Sequence, residues 1–221
     1  GRWLVSFEAL ITLDDRLAAH GVPPLGAWWR DLLLRWYAGD ALTLAVCAGR
    51  GSAKSTALYK LALTETLAGD WEIPPGERHW ASIASVSKEE AAKGTGIIGQ
   101  WLQQLHIPHD QRDGVIELRG MPRGIRVTAA SVAGTSGWRT FFDGADEVAK
   151  WPSEGAVSVD AAEVLASKRA MTITHPRARR VLVSTPFVDS GPFYEIIAAG
   201  TTADTLVAVA PTWVATDGRI S

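Results

Sequence analysis

The chain has 221 residues, of which 47% are hydrophobic and 21% charged, and a net charge of −2. That is enough chain for one well-buried domain, and the charge excludes a uniformly basic nucleic-acid coat. The single cysteine, Cys47, excludes an internal disulfide framework and a cysteine-rich zinc site. No apolar run approaches the ~18 residues of a membrane span, and the N-terminus lacks a signal pattern, so a soluble, cytosolic protein is expected.

Residues 1–26 read as a lead-in segment, a helix ending at Gly21-Val22-Pro23-Pro24. From residue 41 onward, apolar strands alternate with amphipathic helices. Strands are predicted at 41–47, 79–85, 115–118, 124–130, 139–143, 180–185 and 205–210, and helices at 27–38, 54–68, 87–105, 160–169 and 191–199. Ser87, with Glu90 three positions later, forms the capping box of the third of these helices. Gly120-Met121-Pro122-Arg123-Gly124 separates two of the strands as the turn of an inserted β-hairpin. Strands joined by crossover helices imply an α/β fold, a mostly parallel sheet sandwiched by helices. From Pro211-Thr212-Trp213 the chain turns polar and poorly periodic, as a linker begins. The expected division is therefore a lead-in at 1–26, one domain at 27–210 and a linker start at 211–221. The ten tryptophans are expected as core or interface anchors.

Ala48-Gly49-Arg50-Gly51-Ser52-Ala53-Lys54-Ser55-Thr56 follows the first of these strands and opens a helix. Strand, glycine-rich loop and helix start are the parts of a phosphate-binding P-loop. Small residues let backbone N–H groups surround a phosphate, and the helix presents its positive end to the anion. Lys54 is placed to bridge β- and γ-phosphates, and the Ser55 hydroxyl to hold Mg²⁺. Ala48 and Ala53 replace two glycines of the G-x-x-x-x-G-K-S/T pattern. The domain is thus expected to be of the P-loop NTPase type, with ATP and Mg²⁺ as its ligands.

Such a site needs an acidic residue at a neighbouring strand end, and a carboxylate to align water. Asp143 closes the apolar run Thr140-Phe141-Phe142 and fits the metal-orienting role, but Gly144 follows where a glutamate is expected. Three explanations stand open: Asp146 or Glu147 supplies the base from the turn beyond; Asp146-Glu147 is itself the acidic pair, although Asp-Gly-Ala makes a poor buried strand end; or the chain lacks the carboxylate. Residues 180–186 form a further buried strand ending in hydroxyls, where Ser184 and Thr185 are placed to sense the γ-phosphate.

In this order and spacing, the three elements resemble the ATPase domain of the large terminase subunit of tailed double-stranded DNA phages, from about Pro24 to the end. The family's arginine falls at Arg50, and its adenine-side segment at residues 24–30, with Trp29 as the aromatic. Residues 81–87 are similar to its second strand and turn, and Gly134-Thr135-Ser136-Gly137 to its glycine-bearing loop. Ser184-Thr185-Pro186 and Gly191-Pro192-Phe193-Tyr194 resemble its coupling motif and downstream helix, and Pro211-Thr212-Trp213 the linker to a ribonuclease-H-type nuclease domain. The resemblance implies a homo-oligomeric ring on the capsid portal, in the cytoplasm of the bacterial host, that hydrolyses ATP to pump double-stranded DNA. Its partners are the portal protein and the small terminase subunit.

Lys54, Asp143, Asp146, Glu147, Arg50 and Arg139 are then the catalytic candidates, and Ser55 and Asp143 the metal ligands. Gly49, Arg50, Gly51, Ser52, Ala53, Lys54, Ser55, Thr56, Trp29, Ser184 and Thr185 are the nucleotide contacts. Arg50, Arg126 and Arg139 are candidates to reach a neighbouring subunit's site. Basic loops at 119–126 and 177–180 are candidates for DNA phosphates. Two other readings remain: a nucleotide-binding switch that holds ATP unconsumed, and a helicase-like ATPase, since Asp143-Gly144-Ala145-Asp146 echoes an Asp-Glu-Ala-Asp box with one residue changed.

Overall fold

The computed structural model describes residues 6–131, 137–151 and 160–218. In chain order the elements are α1 (Phe7–Ala18), α2 (Ala27–Ala38), β1 (Thr43–Ala48), α3 (Lys54–Ala68), β2 (His79–Ser85), α4 (Lys88–Gln104), β3 (His109–Arg112), β4 (Val115–Leu118), β5 (Arg123–Ala129) and β6 (Thr140–Asp146). A 3₁₀ turn (Val148–Lys150) follows, then α5 (Ala161–Ala170), β7 (Arg179–Ser184), α6 (Pro192–Ala199), β8 (Thr205–Ala210) and α7 (Thr212–Ala215). Among the described residues, eight strands form one sheet in the order β3-β4-β5-β2-β6-β7-β1-β8. β1 runs parallel to β7 and β8, β2 to β5 and β6, and β6 to β7, whereas the β3-β4-β5 edge is antiparallel. The expected hairpin is therefore part of the sheet, merged through β5 and extended by β3, a polar strand that periodicity did not reveal.

The central strands are buried on both faces, which explains their near-continuous apolar composition. Leu44, Val46, Val181 and Val183 join a core with α1, α2, α3 and α4, whereas Ala45, Cys47, Ala145 and Leu182 face Val164, Leu165 and Phe193 of α5 and α6. Cys47 is a small buried side chain, as expected, and burial pushes its thiol pKa up. Within the stretch expected as a lead-in, Leu10, Leu13 and Leu17 belong to the main core. Ser87 Oγ accepts the Glu90 N–H at 3.2 Å, the expected cap of α4. Trp29, Trp36, Trp80, Trp101 and Trp151 are buried anchors, but Trp138 and Trp213 are exposed.

β6 is the element that departs most from expectation. It continues through Gly144 and Ala145 to Asp146, three residues beyond the predicted end. The sheet supplies what local propensity lacks: β6 lies between β2 and β7, and Gly144 is paired to Ile83 on one side and Val181 on the other.

Candidate active site

Register alone brings the key residues to one level. Cys47 pairs with Ser184, and Val183 with Asp146, so the carboxyl ends of β1, β7 and β6 lie side by side. Ligands of open α/β sheets bind at such carboxyl ends. From the end of β1 the chain loops through Gly49-Arg50-Gly51-Ser52-Ala53 into α3. The loop's tight curvature is visible at Gly51 and Ala53, both at positive φ, with Ala53 at φ 58°. Ala53 thus adopts by strain the left-handed conformation that a glycine takes freely. Lys54 Nζ donates to the carbonyls of Ala48 at 3.1 Å and Gly49 at 2.9 Å, which curls the loop around the ammonium. Burial lowers the Lys54 pKa, against the opposing fields of Glu147 and Asp146.

Parity along β6 assigns its acids to different faces. A Cβ on Gly144 would lie 3.0 Å from Leu58 of α3, so Gly144, and Asp146 two residues on, face α3. Asp146 meets the Ser55 hydroxyl there, and its Oδ1 is buried without a hydrogen-bond partner among the described residues. Burial raises its pKa to about 6, with Glu147 adding to the shift and Ser55 and Lys54 opposing it. A buried carboxylate oxygen left open beside a serine hydroxyl at a P-loop fits the needs of a hard divalent cation such as Mg²⁺.

Glu147 leaves the strand at φ 52° and turns its carboxylate toward β7. Its Oε2 accepts from the Thr185 hydroxyl at 2.8 Å and the Thr185 N–H at 3.2 Å, and lies 3.1 Å from Lys150 Nζ. Ser184 Oγ reaches the same oxygen at 3.4 Å. Burial pushes the Glu147 pKa up, but these donors and the Lys54 charge together hold it below the ordinary value. Residues 50–56 and Glu147 line a cavity of about 540 Å³, walled on its far side by residues 23–26, Trp29, Ala215 and Thr216.

Asp143 is not part of this assembly. It pairs in register with Arg180, and Arg180 with Thr43 at the start of β1, about 10 Å below Asp146 along the strand. Its side chain faces α5, where Lys168 Nζ lies at 2.9 Å and Arg180 Nε at 3.0 Å. The expectation of a metal ligand there is corrected on both counts: Asp143 lies mid-strand rather than at the strand's end, and on the opposite face. Gly144 is corrected too: it is a core position against α3, so nothing is missing from it.

No family model matches the sequence, and no curated protein does. Among solved structures, the chain is similar to the large terminase ATPase domain of Thermus phage P74-26, at TM-score 0.67 and 17% identity, covering 96% of this chain and 87% of that one. It is similar to the HK97 bacteriophage large terminase at TM-score 0.74 and 14% identity, covering 92% of this chain and 43% of that one. The large terminase of a thermophilic bacteriophage, in complex with ADP, is similar at TM-score 0.63 and 12% identity, covering 90% and 48%. The chain has the fold of a large-terminase ATPase domain.

Within that fold, the remaining predicted residues separate clearly. Trp29 lines the cavity but is buried, with its indole N–H donated to the Ser52 carbonyl at 2.7 Å, so it braces the loop. Arg50 is exposed beside the cavity. Arg139 precedes β6, at the opposite end of the sheet, and is ion-paired to Glu77. Arg126 lies 3.7 Å over the Trp138 ring. Of the candidate DNA-facing arginines, Arg179 is buried with Glu65 and Arg180 pairs with Asp143, whereas Arg119 pairs with Asp110 at the surface and Arg177 is exposed. The glycine-bearing loop at 134–136 lies outside the described residues.

Nothing in the residue pattern announces the C-terminal wall. Thr212 Oγ1 donates to the Arg50 carbonyl at 3.2 Å, and Gly49 has no room for a Cβ beside Thr212. The Asp217 carboxylate accepts the Ala27 and Trp28 N–H groups at 2.8 and 3.0 Å, capping α2. Of the stretch expected as a linker, Thr212, Ala215, Thr216 and Asp217 pack beside the site. Asp217 followed by Gly218 is a turn signature, and only the tertiary fold makes it a cap for a helix some 190 residues earlier.

Proposed function

We propose that this chain is the ATP-hydrolysing motor domain of a phage DNA-packaging terminase. The observation that carries the reading is the placement of Asp146 and Glu147 beside Lys54 and Ser55, with Glu147 bonded to Ser184-Thr185. The solved structures that share the fold include an ATPase domain and complexes with ADP and ATP-γ-S.

In this reading the loop N–H groups and the positive end of α3 bind the β-phosphate. Lys54 exchanges the Ala48 and Gly49 carbonyls for phosphate oxygens. Ser55 and Asp146 would hold Mg²⁺, which would supply charge neutralisation to the phosphates. Glu147, kept ionised by Thr185, Lys150 and Lys54, accepts a proton from the attacking water. Arg50 is the cis candidate to stabilise charge on the transferring phosphate.

Thr185 gives the site an output. The hydroxyl and N–H that orient Glu147 sit at the end of β7, so any movement of the carboxylate on loss of phosphate reaches the chain leading to α6. That helix packs against β1, β8 and the 3₁₀ turn. Double-stranded DNA, a portal, a small terminase subunit and a ring of copies are the partners this reading brings with it. The switch reading drew on Gly144, which is a core residue, and so has no observation behind it.

Steady-state hydrolysis of Mg-ATP, with and without double-stranded DNA, tests the proposal. Lys54→Ala is expected to abolish turnover. Glu147→Gln is expected to lower it about 10²- to 10⁴-fold while ATP still binds. Parental turnover in Glu147→Gln would remove Glu147 from the reaction.

A further inference from the structure

Two buried polar atoms at the carboxyl end of the sheet lack hydrogen-bond partners among the described residues, and they belong to neighbouring strands. One is Asp146 Oδ1 on β6; the other is the hydroxyl oxygen of Ser85, the last residue of β2. Both residues are buried. β2 and β6 run parallel with Ala84 beside Ala145, so the next positions, Ser85 and Asp146, stand level on strands about 4.8 Å apart. They share a face as well. Ile83 lies in the core against α3 and Ala84 in the core against α5 and α6, so Ser85, two positions after Ile83, points to α3 as Asp146 does.

An unpaired buried hydroxyl costs stability, and native chains keep few of them. Two threonine hydroxyls share the condition but not the place: Thr140 opens β6, and Thr128 pairs with Ala84 on the opposite face. Ser85 stands where Asp146 has room for a second donor. Ser55 already reaches that carboxylate from α3. A carboxylate that holds a cation is itself held by hydrogen bonds, which fix the direction in which it presents its oxygens. A serine hydroxyl has one hydrogen to donate and turns between staggered rotamers. It can therefore reach the oxygen beside it without any movement of the backbone.

We propose that Ser85 is a positioning residue for the metal: with a cation held beside Ser55, the Ser85 hydroxyl donates to the open oxygen of Asp146 and fixes the direction of the carboxylate. The proposal rests on the nucleotide and metal reading above. Ser85 acts through Asp146 and not on the nucleotide, whose phosphate cradle is built by residues 49–56. It also has a signature that a residue serving only the fold lacks. Its hydroxyl is a cost to the fold until the cation is held, so removing it should spare stability and weaken metal binding.

Mn²⁺, which prefers oxygen ligands as Mg²⁺ does, is the probe, titrated by electron paramagnetic resonance in the presence of ADP so that no turnover intervenes. Ser85→Ala is expected to weaken Mn²⁺ binding to the ADP complex about 10- to 100-fold. ADP affinity without metal should stay within about twofold, since the phosphate cradle is untouched. The unfolding midpoint without nucleotide should hold or rise, because an unpaired buried hydroxyl is removed. Ser85→Thr keeps the hydroxyl on a residue suited to a strand and should bind Mn²⁺ close to the parent. Ser85→Cys, a weaker donor, should show a smaller loss than alanine and serves if the alanine variant does not fold. Parental Mn²⁺ affinity in the folded variants, or an equal loss of metal-free ADP affinity, overturns the proposal. A lowered midpoint in Ser85→Ala does so too, since it marks a hydroxyl that serves the fold. A parent whose ADP binding is indifferent to Mn²⁺ overturns the metal reading itself.

Discussion

The middle and the end of β6 put the same side chain to different uses. Asp143, at mid-strand, is sealed against α5 between Lys168 and Arg180. Asp146, at its close, faces α3 and Ser55 with an oxygen left open. They stand three positions apart, an odd number, so they point to opposite faces of the sheet. The first acid is neutralised by its neighbours and serves the fold. The second is buried beside Glu147 without a full set of partners and serves the site. A carboxylate's role in this sheet is set by its level along the strand and by parity, not by the apolar run that precedes it.

That contrast predicts opposite signs for one substitution made twice. Asp143→Asn leaves Lys168 buried without its counter-charge, and unfolding in urea should show a loss of about 3–5 kcal/mol. Asp146→Asn should instead stabilise the protein by about 2–3 kcal/mol at pH 7. Below pH 4 Asp146 is protonated in both folded and unfolded chains. As pH rises from about 4 toward about 6 the unfolded chain releases its proton first, so the parent loses stability over that window and no further above it. The advantage of the asparagine should therefore grow between pH 4 and 6 and then level off. Taking the difference between parent and variant cancels the second raised carboxyl, Glu65, whose burial lifts its pKa to about 7.

Gly144 separates the two acids and sharpens the comparison. Its α3-side neighbours, Leu58 and Ile83, stand 3.0 and 3.1 Å from where a Cβ would be. Gly144→Ala should cost about 1–3 kcal/mol by overpacking, read as a lower unfolding midpoint. Gly144→Glu should fail to fold and cannot restore a base. The smallest effect belongs to the loop: Ala53→Gly removes a left-handed alanine and should add about 1 kcal/mol to thermal stability, read by calorimetry.

Much of this was legible in the chain. The P-loop, its strand and its helix follow from Lys54-Ser55 and the small residues before them, and α3 begins at Lys54 as the pattern implies. β6 was legible only in part. Gly144 and Ala145 have poor strand propensity, so the strand reads as closing at Asp143, and the acidic pair beside the P-loop is displaced by three residues. Pairing with β2 and β7 overrides that propensity, and no local pattern reports it. The buried Asp14–Lys60 ion pair and the Asp217 cap were illegible for a related reason. Each joins segments far apart in sequence, and charged residues on helices and turns read locally as solvated. β3 was hidden because its residues, His109–Arg112, are polar and edge-exposed.

The central claim is that Asp146, not Asp143, completes the P-loop site. The most direct test is ATP affinity with and without Mg²⁺, measured calorimetrically on the parent and on the two asparagine variants at matched folded concentration. The metal's contribution to affinity should disappear in Asp146→Asn and persist in Asp143→Asn. Loss in Asp143→Asn with retention in Asp146→Asn would contradict the assignment and return the site to the middle of the strand.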